Sequence, residues 1–216
     1  MIQCIAHANR EDGVVEPVQG LHLHRMSQPT ERIHGLSRPS FCVIAQGGKD
    51  VFVGESCYRY DPEHYLLATV ELPLSSCIVE ASKERPYLSL RLDLGPALVG
   101  SVMVEIGIPA PRSRGDAKAI VVSALDADLL DATLRLVQLI DSPAETRVLA
   151  PLVTREIVFR LLLGEHLDAT SAGFRAGYND ASHFSRDHKK RFGTSPARDV
   201  ARLRANLGGA SQDARI

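Results

Sequence analysis

Between residues 168 and 200 the chain sets hydrogen-bond donors close together: Ser182, His183, Ser185, Arg186, Lys189 and Lys190, interleaved with Ala181, Phe184 and Phe192. An arginine guanidinium can donate to both O6 and N7 of a guanine, and short hydroxyls can reach other base edges. Lysines act as point charges and suit phosphate oxygens. Such chemistry needs the donors on one side of a rigid element. Asp168 and Asp180 are placed to cap two helices, and Gly177 to end the first in a left-handed conformation. The second helix then runs over 181–192 and is stopped by Gly193 and Pro196, with a last basic helix over 197–206. Phe184 and Phe192 fall eight residues apart on one side of it, opposite the donors. The outline is a helix-turn-helix. Ala181, Ser182, His183, Ser185 and Arg186 are candidates for base edges, and Lys189, Lys190 and Arg191 for phosphates. A solvated helical hairpin has the same composition, and spacing alone leaves both readings open.

Charge follows this division. The 216 residues carry a net charge of −1. Residues 166–216 hold nine Lys/Arg against five Asp/Glu, and the remainder holds 16 against 21. An acidic body with a basic tail suits a sensor joined to a nucleic-acid reader, although a solvated basic surface would look alike. Hydrophobic residues make up 44%, which excludes a disordered chain. Cys4, Cys42, Cys57 and Cys77 form no C-x-x-C pair and are expected to be free, mostly buried thiols in a reducing compartment. Met1–Arg10 has no long apolar run of the secretory type, and no stretch approaches the ~20 apolar residues of a membrane helix. A cytoplasmic protein without membrane contact is expected.

The elements that would support such a reader begin upstream. Residues 20–93 read as closely spaced strands: 21–26, 40–46, 51–53, 57–60, 64–70, 76–81 and 87–93. Gly47-Gly48-Lys49-Asp50 reads as a hairpin turn, and Gly54-Glu55 and Asp61-Pro62 each as a turn bounding a short strand. In the last strand Leu88, Leu90 and Leu92 alternate with Ser89, Arg91 and Asp93, which puts three leucines on one buried face. This pattern predicts a small sandwich or barrel. Beyond residue 93 the period becomes helical. A helix is expected over 96–106, a flexible loop over 107–119, and two strong helices over 126–141 and 144–164. Leu130, Leu134, Val137 and Ile140 form one apolar stripe, and Val148, Leu152, Ile157 and Leu161 the other. The break at Asp141-Ser142-Pro143 predicts an antiparallel pair, covering the sheet or meeting its mate in a homodimer.

The segment GFRAGYNDASHFSRDHKKRFGTSP resembles the C-terminal signature of AraC-family transcription regulators. PSFCVIAQGGKDVFVGESCYRYDPEHYLLATVELP and EASKERPYLSLRLDL resemble the cupin-like N-terminal domain of one subfamily. The resemblance covers nearly the whole chain. It implies an α+β protein: a cupin-like effector-binding β-barrel or sandwich at 1–93, a helical linker and dimerisation region at 94–165, and an all-α DNA-binding remnant at 166–207. Residues 208–216 are read as a disordered tail. The implied function is an effector-responsive regulator that binds double-stranded DNA as a homodimer. The family carries two helix-turn-helix units joined by a long helix, whereas here there is room for the second unit alone. Arg160-Leu161-Leu162-Leu163-Gly164-Glu165 resembles both the end of the family's N-terminal domain and the end of that connecting helix. An in-frame deletion between the two similar stretches would account for the gap. His188 stands where the family usually has an inward aromatic.

An effector pocket would be lined by Phe41, Val43, Tyr58, Tyr60, Tyr65 and Leu90, which could equally be ordinary core. Some cupin-like barrels hold a metal on histidines and a carboxylate. His22, His24, His34 and His64 with Glu71 are the local candidates, but they do not fall at a recognisable ligand spacing. With no nucleophile elbow, phosphate loop or dinucleotide fingerprint, the chain is not expected to be an enzyme, and no cofactor is implied. The alternatives are an effector-binding or dimerising module without DNA activity and, behind it, a metal-dependent cupin enzyme.

Overall fold

A computed structural model describes residues 1–107 and 119–164. The whole helix-turn-helix reading, with Ala181 to Lys190, lies outside the described residues. The rest is an α+β fold of two antiparallel sheets backed by helices on one side. In chain order the elements are α1 (Ile2–Ala8), β1 (Gly13–Val18), β2 (Leu21–Met26), β3 (Ile33–Ser37), β4 (Ser40–Gln46), β5 (Gly48–Val53), β6 (Ser56–Tyr60), β7 (His64–Ala68), β8 (Leu72–Glu80) and β9 (Tyr87–Asp93). They continue as α2 (Pro96–Glu105), β10 (Ile120–Ala124), α3 (Ala127–Gln138) with a 3-10 turn at Leu139–Asp141, and α4 (Pro143–Leu163). The six-stranded sheet has the order β1-β2-β9-β4-β7-β10, and the four-stranded sheet β3-β8-β5-β6.

The expected strands and helices are present, with three instructive departures. Gly47-Gly48-Lys49-Asp50 is not a hairpin turn. Gly48 already begins β5, and β4 and β5 belong to different sheets. Gly47 is the corner at which the chain crosses between them. Its φ is 89°, and a Cβ there would lie 2.3 Å from the Glu80 carbonyl oxygen and 3.2 Å from the Tyr87 Cα. Only glycine fits that approach. Gly54-Glu55, by contrast, closes a two-residue hairpin with Val53 opposite Ser56. The second departure is β10, inside the span expected to be helical linker. It pairs with β7 from Ile120↔Ala68 to Ala124↔His64, so the large sheet continues past residue 93.

The third concerns the helices. Asp126 caps α3 by accepting from the Leu129 amide at 2.8 Å. Asp128 pairs with Arg160, and Arg135 with Glu156. Rising numbers on α3 meet falling ones on α4, so the pair is antiparallel as expected. The buried stripe of α3 is Leu129, Ala132, Thr133, Leu136 and Val137 rather than Leu130, Leu134 and Ile140; Leu130 is exposed. On α4 Ile157 and Leu161 are buried, but Val148 and Leu152 of the same expected stripe are exposed. Apolar residues surround this helix, so spacing could not choose the inward face.

Two cores result. The larger joins one face of the six-stranded sheet to α1–α4 and contains Leu21, Phe41, Leu90, Val99, Leu136 and Ile157. The smaller draws Ile44, Leu66 and Tyr87 from the six-stranded sheet and Val51, Leu74 and Ile78 from the four-stranded one, so the two sheets pack face to face.

Candidate functional site: a cationic cavity between the sheets

Side chains alternate across a strand, so the six-stranded sheet sends one set to the helices and the next to the opposite sheet. On β9 the leucines 88, 90 and 92 lie in the helix-side core, as expected. The alternate set is also buried: Tyr87 is 2%, Ser89 5% and Arg91 8% exposed. On β4 Phe41 and Val43 join the helix side, whereas Ser40, Cys42 and Ile44 face the other sheet. β5 contributes Lys49 and Val51, and β6 Tyr60. Register brings these groups together: Lys49 is opposite Tyr60, and Cys42 is opposite Arg91.

The result is a small polar cavity inside the sandwich, bordered by His24, Cys42, Lys49, Tyr60, Tyr87 and Arg91. Its space for water-sized occupants is about 30 Å³. The Tyr60 and Tyr87 side chains and Ser89 border it side by side. Burial pushes both phenols up, Tyr60 well above the ordinary value, so both are neutral hydroxyls near pH 7. The Arg91 Nε donates to Asp93 at 3.1 Å, and the other Asp93 oxygen lies 3.1 Å from His22 Nε2. Lys49 has no hydrogen bond or ion pair among the described residues. Burial draws its ammonium below the usual lysine value, and nearby Arg91 adds to that pull. Burial holds the His24 imidazole well below its usual value, reinforced by Lys49, Arg91 and His22. Burial also raises the Cys42 thiol, which makes it a poor nucleophile.

Of the six residues expected to line a pocket, Tyr60 and Leu90 border this cavity. Phe41, Val43 and Tyr65 do not: they pack on the helix side, with the Phe41 and Tyr65 rings 5.5 Å apart. Tyr58 packs, partly buried, against the apolar core between the sheets. Sequence reasoning passed over Lys49, Arg91 and Tyr87, and named His24 only as a metal candidate. The signal for Arg91 was in view, because period-2 alternation puts it opposite the leucines, but nothing local marks that face as interior. Lys49 was masked by the turn assigned to Gly47-Gly48-Lys49-Asp50.

The metal candidates are dispersed. His22 pairs with Asp93, His64 with Asp61 at 2.8 Å, and His34 is exposed on the other sheet. Among the described residues, no three His, Cys, Asp or Glu side chains converge as a ligand set. The four cysteines are free, but Cys57 is exposed and the other three are only partly buried, against the mostly buried thiols expected. No described helix is long and apolar enough to cross a membrane.

Comparison with curated proteins gives no match. Among solved structures the chain is similar to apo ToxT of Vibrio cholerae, at 9% identity and a TM-score of 0.49, covering 95% of this chain and 79% of that one. It is also similar to ToxT of Vibrio cholerae bound to an unsaturated fatty acid, at 9% identity and a TM-score of 0.44, covering 87% and 73%. The AraC-like transcriptional activator CuxR aligns at 10% identity and a TM-score of 0.40, covering 91% and 79%. Residues 17–169 match the family model of the AraC-type transcriptional regulator N-terminus, a span that takes in β2–β10 and α2–α4. With more than half of its length matched by that model, the chain belongs to the AraC-type transcriptional regulators.

Proposed function

We propose that the chain is an effector-responsive, DNA-binding regulator of transcription working in the cytoplasm. The cavity between the sheets takes a small effector, and residues 166–207 read DNA through Ala181, Ser182, His183, Ser185 and Arg186, with Lys189 and Lys190 on phosphates. The observation that carries this is the cavity itself. A sandwich core built only for stability would place apolar side chains where Lys49, His24, Tyr60 and Arg91 stand. An effector alters the regulator through different affinities for its two states. The organisation in this reading is an effector domain whose large sheet runs on through β10, a dimerisation surface on its C-terminal helices, and one helix-turn-helix left by an internal deletion. A single unit makes few phosphate contacts, so binding should weaken steeply with salt.

The test is retardation of a labelled promoter fragment by the purified chain, from low to physiological salt. Absence of any retardation at low salt removes the DNA reading. It would leave an effector-binding and dimerising module, a second reading supported by α4. Val148, Leu149 and Leu152 expose 65%, 40% and 60% of their surface on one side of that helix. A second copy packing there would cover this patch.

A further inference from the structure

Buried cations in folded proteins are ordinarily paired, because an isolated charge loses its hydration without compensation. Arg91 follows that rule through one nitrogen: its Nε meets Asp93, and neither terminal nitrogen has a partner among the described residues. Lys49, half-buried at the cavity wall, has no such partner among the described residues. Cys42, Arg91 and Cys77 are the groups that act on it electrostatically, and no carboxylate is among them. Among the described residues no Asp or Glu borders the cavity. Asp93, the nearest acid in the network, is shared between Arg91 and His22. The fold therefore brings two cations to one small cavity, together with the hydroxyls of Tyr60, Tyr87, Ser40 and Ser89, and supplies half a carboxylate in return.

An anion resolves this imbalance. Resting on the effector reading above, we infer that the effector is a small carboxylate or comparable oxyanion, its charged end held between Lys49 and Arg91 with the Tyr60–Tyr87 pair beside it. The size agrees, since 30 Å³ of such space accommodates about two waters, the scale of formate or acetate. A longer acid would have to part the sheets. The corner at Gly47 sets the geometry, because it turns the chain so that Lys49, two residues on, enters the second sheet facing Arg91 in the first. The Lys49 ammonium and the terminal nitrogens of Arg91 can only donate, which suits an oxyanion; the Ser40 hydroxyl is already given to the Arg38 carbonyl.

The experiment uses the full chain at constant ionic strength, with sodium formate, acetate, propionate and phosphate as probes and acetamide and propionamide as neutral counterparts. Thermal unfolding and calorimetric titration are followed together. The expected result is a saturable rise in Tm with one of the anions, about 5 °C at roughly 100 times Kd. Its neutral counterpart should have no effect, and Lys49→Met should bind it at least about ten times more weakly. Whether carboxylate or phosphate saturates first distinguishes the two oxyanion classes. If Lys49→Met fails to fold, Arg91→Gln and saturation-transfer NMR of the acetate methyl group on the unaltered chain report the same site. Equal stabilisation by amide and carboxylate overturns the assignment, as does an anion response that Lys49→Met leaves intact. So does a response that never saturates. Promoter retardation on the same preparation separates the two claims. Retardation without a saturable anion response overturns this assignment alone, whereas Lys49-dependent anion binding without retardation supports it and removes the DNA reading.

Discussion

The two faces of the six-stranded sheet are made by the same strands and have opposite characters. Toward the helices β9 presents Leu88, Leu90 and Leu92; toward the other sheet it presents Tyr87, Ser89 and Arg91. β4 divides likewise into Phe41 and Val43 against Ser40 and Cys42. Both faces are buried, so exposure does not explain the difference. The helix-side face gains by removing apolar area from water. The inner face half-buries His24, and opposite it Lys49 of the facing sheet, where their charged forms are disfavoured. Polar groups held at such a cost on one face, beside an apolar core on the other, point to binding on the first and stability on the second.

Substitutions across the same strands can break or sharpen that contrast. Leu90→Ala should have the largest effect. Leu90 is fully buried, and the vacated space in a packed core should cost about 2–5 kcal/mol of stability by urea denaturation. A smaller loss would mean that the helix side is not the principal core. Lys49→Met should act in the opposite sense. Exchanging a half-buried ammonium with no partner among the described residues for an apolar chain of similar length should raise stability by about 1–2 kcal/mol in anion-free buffer. Destabilisation of that size would reveal an internal partner for Lys49.

The pH dependence comes next. His24 has a depressed affinity for protons in the fold, whereas in the unfolded chain it titrates near 6.5. Below that pH the unfolded state therefore takes up a proton that the folded state refuses. Stability should be greatest above pH 6.5 and fall as the pH drops from there toward the depressed folded value. His24→Gln should flatten this part of the acid limb in a Tm-against-pH series. An unchanged slope would show that other groups govern it. The smallest effect is expected at Ser123, whose buried hydroxyl has no hydrogen-bond partner among the described residues. Ser123→Ala should raise stability by about 1 kcal/mol or less, because it removes an uncompensated polar group. A clear loss would indicate a bond that the described residues do not supply.

The strands and helices were legible because their signals are local. Gly54-Glu55 announces a hairpin, Asp126 caps α3, and the leucines of β9 alternate without interruption. The stripe on α4 was harder. Val148 and Leu152 carry the same apolar signal as Ile157 and Leu161, and only the packing of α4 against the sheet, α2 and α3 separates inner from outer. The pocket residues were misjudged for a related reason. Phe41, Val43 and Tyr65 are as hydrophobic as a pocket lining should be, and the helices that claim their side of the sheet lie elsewhere in the chain, α1 before them and α2–α4 from residue 96 onward.

The sequence by itself determined the class of protein and its order of elements. Short-range propensities, caps and alternation specify strands and helices, and the family motifs specify their kind. It also determined that Ser89 and Arg91 oppose the leucines, since a strand has two faces whatever it packs against. What only the tertiary structure decided is that this second face is interior. That outcome depends on Gly47, where φ is 89° and the Glu80 carbonyl leaves no room for a side chain, so that a glycine pair resembling a hairpin becomes the crossing between two sheets. The crossing folds β5 and its Lys49 over Arg91, and two cations distant in sequence become neighbours in one cavity. Local rules cannot foresee such a meeting, because the charges are brought together by packing forces that neither residue supplies.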